Sequence, residues 1–246
     1  MSAFILKIIA MLTMTIDHIG EVFSMPVTYR IIGRIAFPLY AMMVIDGYLH
    51  LRNDKKRLMK YMLFLLISSI ISEPLFDLCF SNTAFTMETQ NQVLQFLTFV
   101  TGCYMCDLFN NKIISVVIWI CITYLNYELA IGYYATGILF MLLLMFAMKK
   151  RGNDYYPLLL LTAVSLLTFG ELFEQLYIQL YDFSKTMYYF QYYIKHGTVV
   201  LYTFLAYPFM VNYNGSYGPV SKSFKVFYRW FYPLHLFALY IINRYI

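Results

Sequence analysis

The chain has 246 residues, of which 61% are hydrophobic and only 13% charged, and it carries a net charge of +5. Soluble domains run near 45–50% apolar and about 25% charged, so this composition excludes a water-soluble globular fold. The positive residues sit in short loops between apolar runs, where the cytoplasmic bias of membrane proteins accounts for them without a nucleic-acid partner.

A membrane span needs about 20 mostly apolar residues. That criterion predicts an all-α, polytopic membrane helical bundle forming one integral-membrane domain over 1–246. Nine spans are expected: 4–24, 30–50, 58–80, 93–109, 113–128, 130–148, 156–180, 192–211 and 224–245. The first run lacks an A-x-A cleavage site and carries polar residues at its centre, so it is expected to remain as a span rather than leave as a signal peptide. The Lys/Arg bias sets the orientation. Lys7, the cluster Arg52, Lys55, Lys56, Arg57 and Lys60, then Lys112, Lys149, Lys150, Arg151, Lys222 and Lys225 fall on one side, which is read as cytoplasmic. Arg30, Lys185, Lys195 and Arg244 fall on the other. The N-terminus is therefore expected inside, in an inner or plasma membrane, with the lipid bilayer as first partner.

The first span contains MTIDHIGEVF (14–23), which places Asp17, His18 and Glu21 in an otherwise apolar run. An ionisable group at the centre of a span costs at least about 2.5–3.5 kcal/mol, so it faces a cavity or a partner and marks function by default. Asp17 and Glu21 are spaced i,i+4 and His18 and Glu21 i,i+3, which puts all three on one side of a helix. The second span opens YRIIGRIAFP, with Arg30 and Arg34 also i,i+4. The connection is short, so the two helices must be neighbours, and Asp17 or Glu21 against Arg34 is the expected pairing. Pro38 cannot donate to the carbonyl of residue 34 and should kink the helix beside that arginine.

Farther along, Glu73-Pro74 is expected to interrupt the third span, with Asp77 one turn later. Glu171 and Glu174 lie in the outer part of the seventh span, and Arg229 and Pro233 of the last repeat the R-x3-P spacing, with His235 two residues on. Glu174, Asp107 and Lys195, near span ends, read as interfacial or snorkelling groups. Cys79, Cys103, Cys106 and Cys121 all fall in apolar segments, and the CxxC at 103–106 has no second CxxC or nearby His, so no metal is expected. There is no GxSxG, Walker or HExxH motif. A His beside a carboxylate is a tunable general base, and a neighbouring Arg can orient a carbonyl or stabilise an oxyanion. The residues alone point to a membrane enzyme of proton- or group-transfer type, or to a proton-coupled transporter.

TIDHIGEVF (15–23), GRIAFPLYAMMVIDGYLHLRN (33–53), SEPLFDLCF (72–80), YNGSYG (213–218) and FYPLHL (231–236), in this order, resemble the TraX family, named for a membrane protein that N-acetylates pilin. The middle, roughly 95–200, matches poorly, and the family's Asp-Tyr-Gly element looks replaced around IGYYATG (131–137). The family is distantly similar to integral-membrane acyltransferases that draw on cytosolic acyl-CoA and use a His in the first span. The resemblance implies acetyl transfer from acetyl-CoA to an amine or hydroxyl of a peptide, lipid-linked or glycan acceptor. His18 would be the general base, Asp17 or Glu21 would orient it, and Arg34 would sit by the thioester carbonyl or a phosphate. Arg52, Lys55, Lys56 and Arg57 would hold the phosphates of acetyl-CoA, and Tyr213, Asn214, Arg229 and His235 would form the opposite wall and cytosolic rim. The donor's arm would reach inward by about half the hydrocarbon core, roughly 15 Å. A transporter or flippase and a non-catalytic assembly factor of a surface appendage are the alternatives.

Overall fold

The structure, a computed structural model, describes residues 1–181 and 197–245, without the side chains of 174–181, 197, 198 and 200. The start of the expected eighth span, Lys185, Lys195 and the side chain of Glu174 lie outside the described residues. In chain order the helices are α1 (Ala3–Val22), α2 (Thr28–Gly33), α3 (Ala36–Leu51), α4 (Lys55–Phe80), α5 (Gln92–Phe109), α6 (Lys112–Glu128), α7 (Tyr134–Lys149) and α8 (Tyr156–Tyr181). A 3-10 helix (Gly197–Ala206), α9 (Tyr207–Val211) and α10 (Lys222–Tyr245) complete them. The described residues contain no strand; one isolated bridge pairs Gln90 with Ile131.

Four segments are long and apolar enough to cross a membrane: α1, α2 with α3 (Thr28–Leu51), α4, and Tyr156–Phe173 of α8. Tyr134–Lys149 and Leu201–Val211 are shorter apolar helices. Large apolar side chains stay exposed on the helix surfaces, among them Ile113, Val116, Val117 and Ile120 of α6. Such a surface fits hydrocarbon and would be a liability in water.

Helix starts follow from short polar side chains that accept the first free N–H groups. Asp54 accepts from the Arg57 amide at 3.1 Å, and Asn91 from Val93 and Leu94 at 2.9 and 3.3 Å. Asn111 accepts from Ile113 and Ile114 at 2.9 and 3.2 Å. The second span does not form one rod, because the chain turns at Arg34–Ile35 between α2 and α3, four residues before Pro38. The third behaves otherwise. Against the sequence expectation of an interruption at Glu73-Pro74, α4 runs through Pro74 without a break. A proline removes one helical hydrogen bond, and here the adjoining turn is braced from the side. Asn91 donates its backbone N–H to both Glu73 carboxylate oxygens at 3.2–3.3 Å and its side-chain amide to the Ser69 carbonyl at 3.0 Å. Pro233 likewise sits inside a continuous α10.

Contacts gather into two compact units, Met1–Met42 with Leu142–Gly218, and Met43–Met141 with Pro219–Ile246. In the first, the start of α1 is tied to the 212–217 loop by backbone bonds, Ala3 N to Ser216 O at 2.8 Å and Asn214 N to Met1 O at 3.0 Å. In the second, the turn between α6 and α7 carries Ala130 and Gly132 at positive φ, +48° and +55°. Glycine supplies that conformation without strain. Gln90 bonds the turn through its backbone, accepting from Gly132 N at 3.1 Å and donating to Ala130 O at 2.9 Å.

Gln95, fully buried, holds the same turn. Its Nε2 donates to the carbonyls of Ile131 and Tyr134 at 3.0 and 2.9 Å, and its Oε1 accepts from the Tyr133 amide at 3.1 Å. Asp107, expected at an interface, accepts hydrogen bonds from Tyr48 and from Arg52, the latter at 3.2 Å. Each buried backbone group stranded without a partner costs about 1–3 kcal/mol. Gln95→Leu should therefore lower the thermal midpoint of the purified protein markedly, whereas Gln92→Leu, on the half-buried rim of the same network, should cost much less.

Candidate functional site

The polar residues of α1 meet their partners because the chain turns back at once. Phe23–Val27 close a tight connection in which Met25 N bonds Gly20 O at 2.9 Å. Gly20 lets α2 approach, since a Cβ there would lie 2.6 Å from the Tyr29 Cβ. Gly33 at the end of α2 is more restrictive, because a Cβ there would run into the Asp17 carboxylate. The carboxyl group thus lies flat against the α2 backbone. Only glycine leaves it room.

Arg30 then clamps α1. Its Nη1 meets Asp17 Oδ2 at 2.9 Å and its Nε meets Glu21 Oε2 at 3.1 Å. The same Nη1 approaches the Asp17 carbonyl at 3.4 Å. One planar guanidinium therefore bridges two carboxylates on successive turns, a geometry a lysine cannot reproduce. The second Asp17 oxygen, Oδ1, is buried and accepts no hydrogen bond from the described residues. His18 follows directly in sequence and is half-buried.

The expected pairing of Asp17 or Glu21 with Arg34 is corrected. Arg34 forms its ion pair with Glu171 of α8, Nη1 to Oε2 at 3.4 Å, with side-chain exposures of 17% and 7%. The reason is the turn before Pro38. Arg34 caps α2 instead of continuing it, so Arg30 alone keeps the straight α2 register facing α1. Arg34 remains within electrostatic reach of Asp17. Arg30 and Glu171 are members of the ion-paired cluster that the sequence did not single out as site residues. The signal for Arg30 was its i,i+4 spacing to Arg34, and for Glu171 an acid in an apolar span without a basic neighbour.

Of the remaining expected residues, Tyr213 and Asn214 belong to the first unit and the others to the second. In the first unit, Tyr213 lies under the Arg151 guanidinium, 5.3 Å from the ring centroid, and Asn214 Oδ1 accepts from Ser216 N and Oγ at 3.0 and 2.8 Å. Both sit at the start of α1, separated from His18 by about 22 Å of helix rise, so the structure does not bring them to the cluster. In the second unit, Arg52 is engaged by Asp107 and Arg57 by Asp54 at 3.2 Å. Lys55 and Lys56 are exposed. Arg229 lies on α10, and His235, buried on the same helix, points Nδ1 at the Phe231 carbonyl at 2.9 Å and stacks on the Phe231 ring. Among the described residues no group of three or more His, Cys, Asp or Glu is placed to hold a metal ion.

Helices long enough to span a bilayer, apolar outward and ion-paired at buried points, define an integral-membrane helical protein. A family model described as TraX protein matches residues 2–243, and the chain belongs to the TraX family. It is 31% identical over 81 residues to a protein of Dichelobacter nodosus named "Probable fimbrial assembly protein FimC, serogroup H1". That match covers 31% of this chain and 32% of the relative, about a third of each. No solved structure matches the chain.

The Arg34–Glu171 pair gives a direct test. Removing one partner of a buried pair leaves a charge uncompensated and costs about 3–5 kcal/mol, whereas removing both costs less. Glu171→Gln and Arg34→Gln should each destabilise the protein, and the double variant should recover much of the loss. A double-mutant cycle on thermal unfolding in detergent measures the coupling, and additive losses would refute the pairing.

Proposed function

We propose that this chain is a membrane-embedded acetyltransferase serving the assembly of a surface appendage, taking acetyl groups from acetyl-CoA. The observation that carries the reading is the cluster at the end of α1, where Arg30 grips Asp17 and Glu21 and Arg34 grips Glu171, on the helix whose residue 18 is a histidine. Charges at such depth are expensive, and chemistry gives a reason to keep them. Family membership and the fimbrial assembly name of the relative support the setting.

In this reading His18 takes the proton of an amine or hydroxyl acceptor as it attacks the thioester carbonyl. The new C–N or C–O bond forms, the C–S bond breaks, and His18 returns the proton to the departing CoA sulfur. Arg34, held by Glu171, supplies positive charge near the developing oxyanion. Asp17, fixed by Arg30 and Gly33, sets the position of the α1 turn that carries His18. The proposal includes nine spans, a cytoplasmic N-terminus and an inner-membrane location, as the Lys/Arg distribution implies.

His18→Ala should abolish release of CoA from acetyl-CoA by the purified protein in the presence of an amine-bearing acceptor peptide, with the melting profile unchanged. Full retained turnover would overturn the assignment. A second reading, a non-catalytic assembly factor, is favoured by the printed name of the relative. Under it, His18→Ala leaves appendage assembly intact.

A further inference from the structure

We infer that the loop 212–218, together with Arg151 and Lys7, holds the phosphates and adenine of acetyl-CoA at the start of α1, an assignment that rests on the acetyltransferase reading above. All of these residues belong to the first unit.

The loop reads NYNGSYG. It is fixed to the start of α1 by Ala3 N to Ser216 O at 2.8 Å and Phe4 N to Tyr217 O at 3.2 Å. Gly215 and Gly218 hold φ of +76° and +70°, a region that favours glycine. Each is also a point of close approach. A Cβ on Gly215 would lie 2.5 Å from Arg151 Nη2, and one on Gly218 would lie 2.6 Å from Ser2 Oγ. The guanidinium thus rests against bare backbone. The two tyrosines of the loop each carry a cation: Arg151 lies 5.3 Å from the Tyr213 ring centroid, and Lys7 Nζ lies 5.9 Å from that of Tyr217.

Two cations set on the rings of one short loop make a donor set for phosphates. A cation over an aromatic face is already restrained, so less order has to be imposed when an anion arrives. Stacking takes up the flat face of a guanidinium, whereas phosphate recognition uses its edge. Neither residues 1–16 nor 212–218 contain an acid, so no carboxylate of these segments opposes an anion. Tyr217 is 55% exposed, and an exposed aromatic ring is a platform on which a purine stacks. In the 52–57 cluster, by contrast, Arg52 and Arg57 are bound to Asp107 and Asp54.

The spacing to His18 agrees with this placement. From Ala3 to His18 the helix rises about 22 Å. The pantetheine arm is a chain about as long as five extended residues, roughly 16 Å, and the diphosphate at its end covers the rest. With the nucleotide at the loop, the thioester arrives at the depth of the base.

Equilibrium binding of CoA to the full chain in detergent tests this without any turnover. Adenosine 3′,5′-bisphosphate should compete with CoA, and pantetheine, which lacks the phosphates, should bind about ten-fold more weakly than CoA. Arg151→Gln should weaken CoA by about ten-fold or more and leave pantetheine unchanged, whereas Lys112→Gln, an exposed charge elsewhere, should change neither. His18→Ala should keep its CoA binding. A CoA with a photoactivatable azide on the adenine, mapped by peptide mass spectrometry, should label 212–218 or the segments beside Lys7 and Arg151, a readout that needs no substitution. Label on 52–60, unaltered CoA binding by Arg151→Gln, or absence of competition by the bisphosphate would overturn this site and leave the acetyltransferase reading standing. A wild-type chain that binds no CoA would overturn both.

Discussion

The first unit is organised around one guanidinium. Asp17 and Glu21 lie in a helix that is otherwise suited to lipid, and carboxylates there need a counter-charge. Arg30 supplies it to both. The surrounding features follow from that demand. The connection after α1 is short so that Arg30 returns to the same depth; Gly20 lets α2 come close; Gly33 leaves space for the Asp17 carboxyl. The turn ahead of Pro38 then rotates the next arginine away, toward Glu171 on α8. Two arginines one helical turn apart therefore serve two different helices, and the cluster ties α1, α2 and α8 together by charge where apolar contacts alone would leave their register loose.

The turn between α6 and α7 meets a similar difficulty by a different route. There the backbone leaves the helical conformation at Ala130 and Gly132, freeing carbonyls and an amide that lipid cannot satisfy. Gln95 and Gln90 supply the missing partners with neutral groups. A neutral amide network is far less costly to bury than an ion pair. At the end of α1 one arginine instead serves two carboxylates at once.

Much of the helix pattern was legible because apolar run length and N-cap residues act locally. The expected 93–109 and 113–128 segments differ from α5 and α6 by one residue at their starts. The break near Arg34 was legible too, since a proline denies the carbonyl four residues earlier. The same rule misjudged Pro74, because the bracing by Asn91 comes from outside the helix and helical spacing carries no sign of it. The choice between Arg30 and Arg34 as partner of Asp17 failed for a related reason. Both face α1 on an ideal helix, and only the turn at Arg34–Ile35 separates them. Glu171 stands 137 residues from Arg34, beyond the range of any local pattern.

That separation also orders events in time. At synthesis rates of 5–20 residues per second, roughly 7 to 27 s pass between the emergence of Arg34 and that of its acidic partner. Arg30, by contrast, finds Asp17 and Glu21 already made, 13 and 9 residues behind it. The α1–α2 hairpin can therefore enter the bilayer with Asp17 and Glu21 already met by Arg30, while the Arg34–Glu171 pair forms only after α8 is made. The first unit is completed only when the chain reaches the 212–217 loop that binds the start of α1. Insertion of this protein thus passes through a stage in which the Arg30 clamp can already be closed and the Arg34–Glu171 pair cannot.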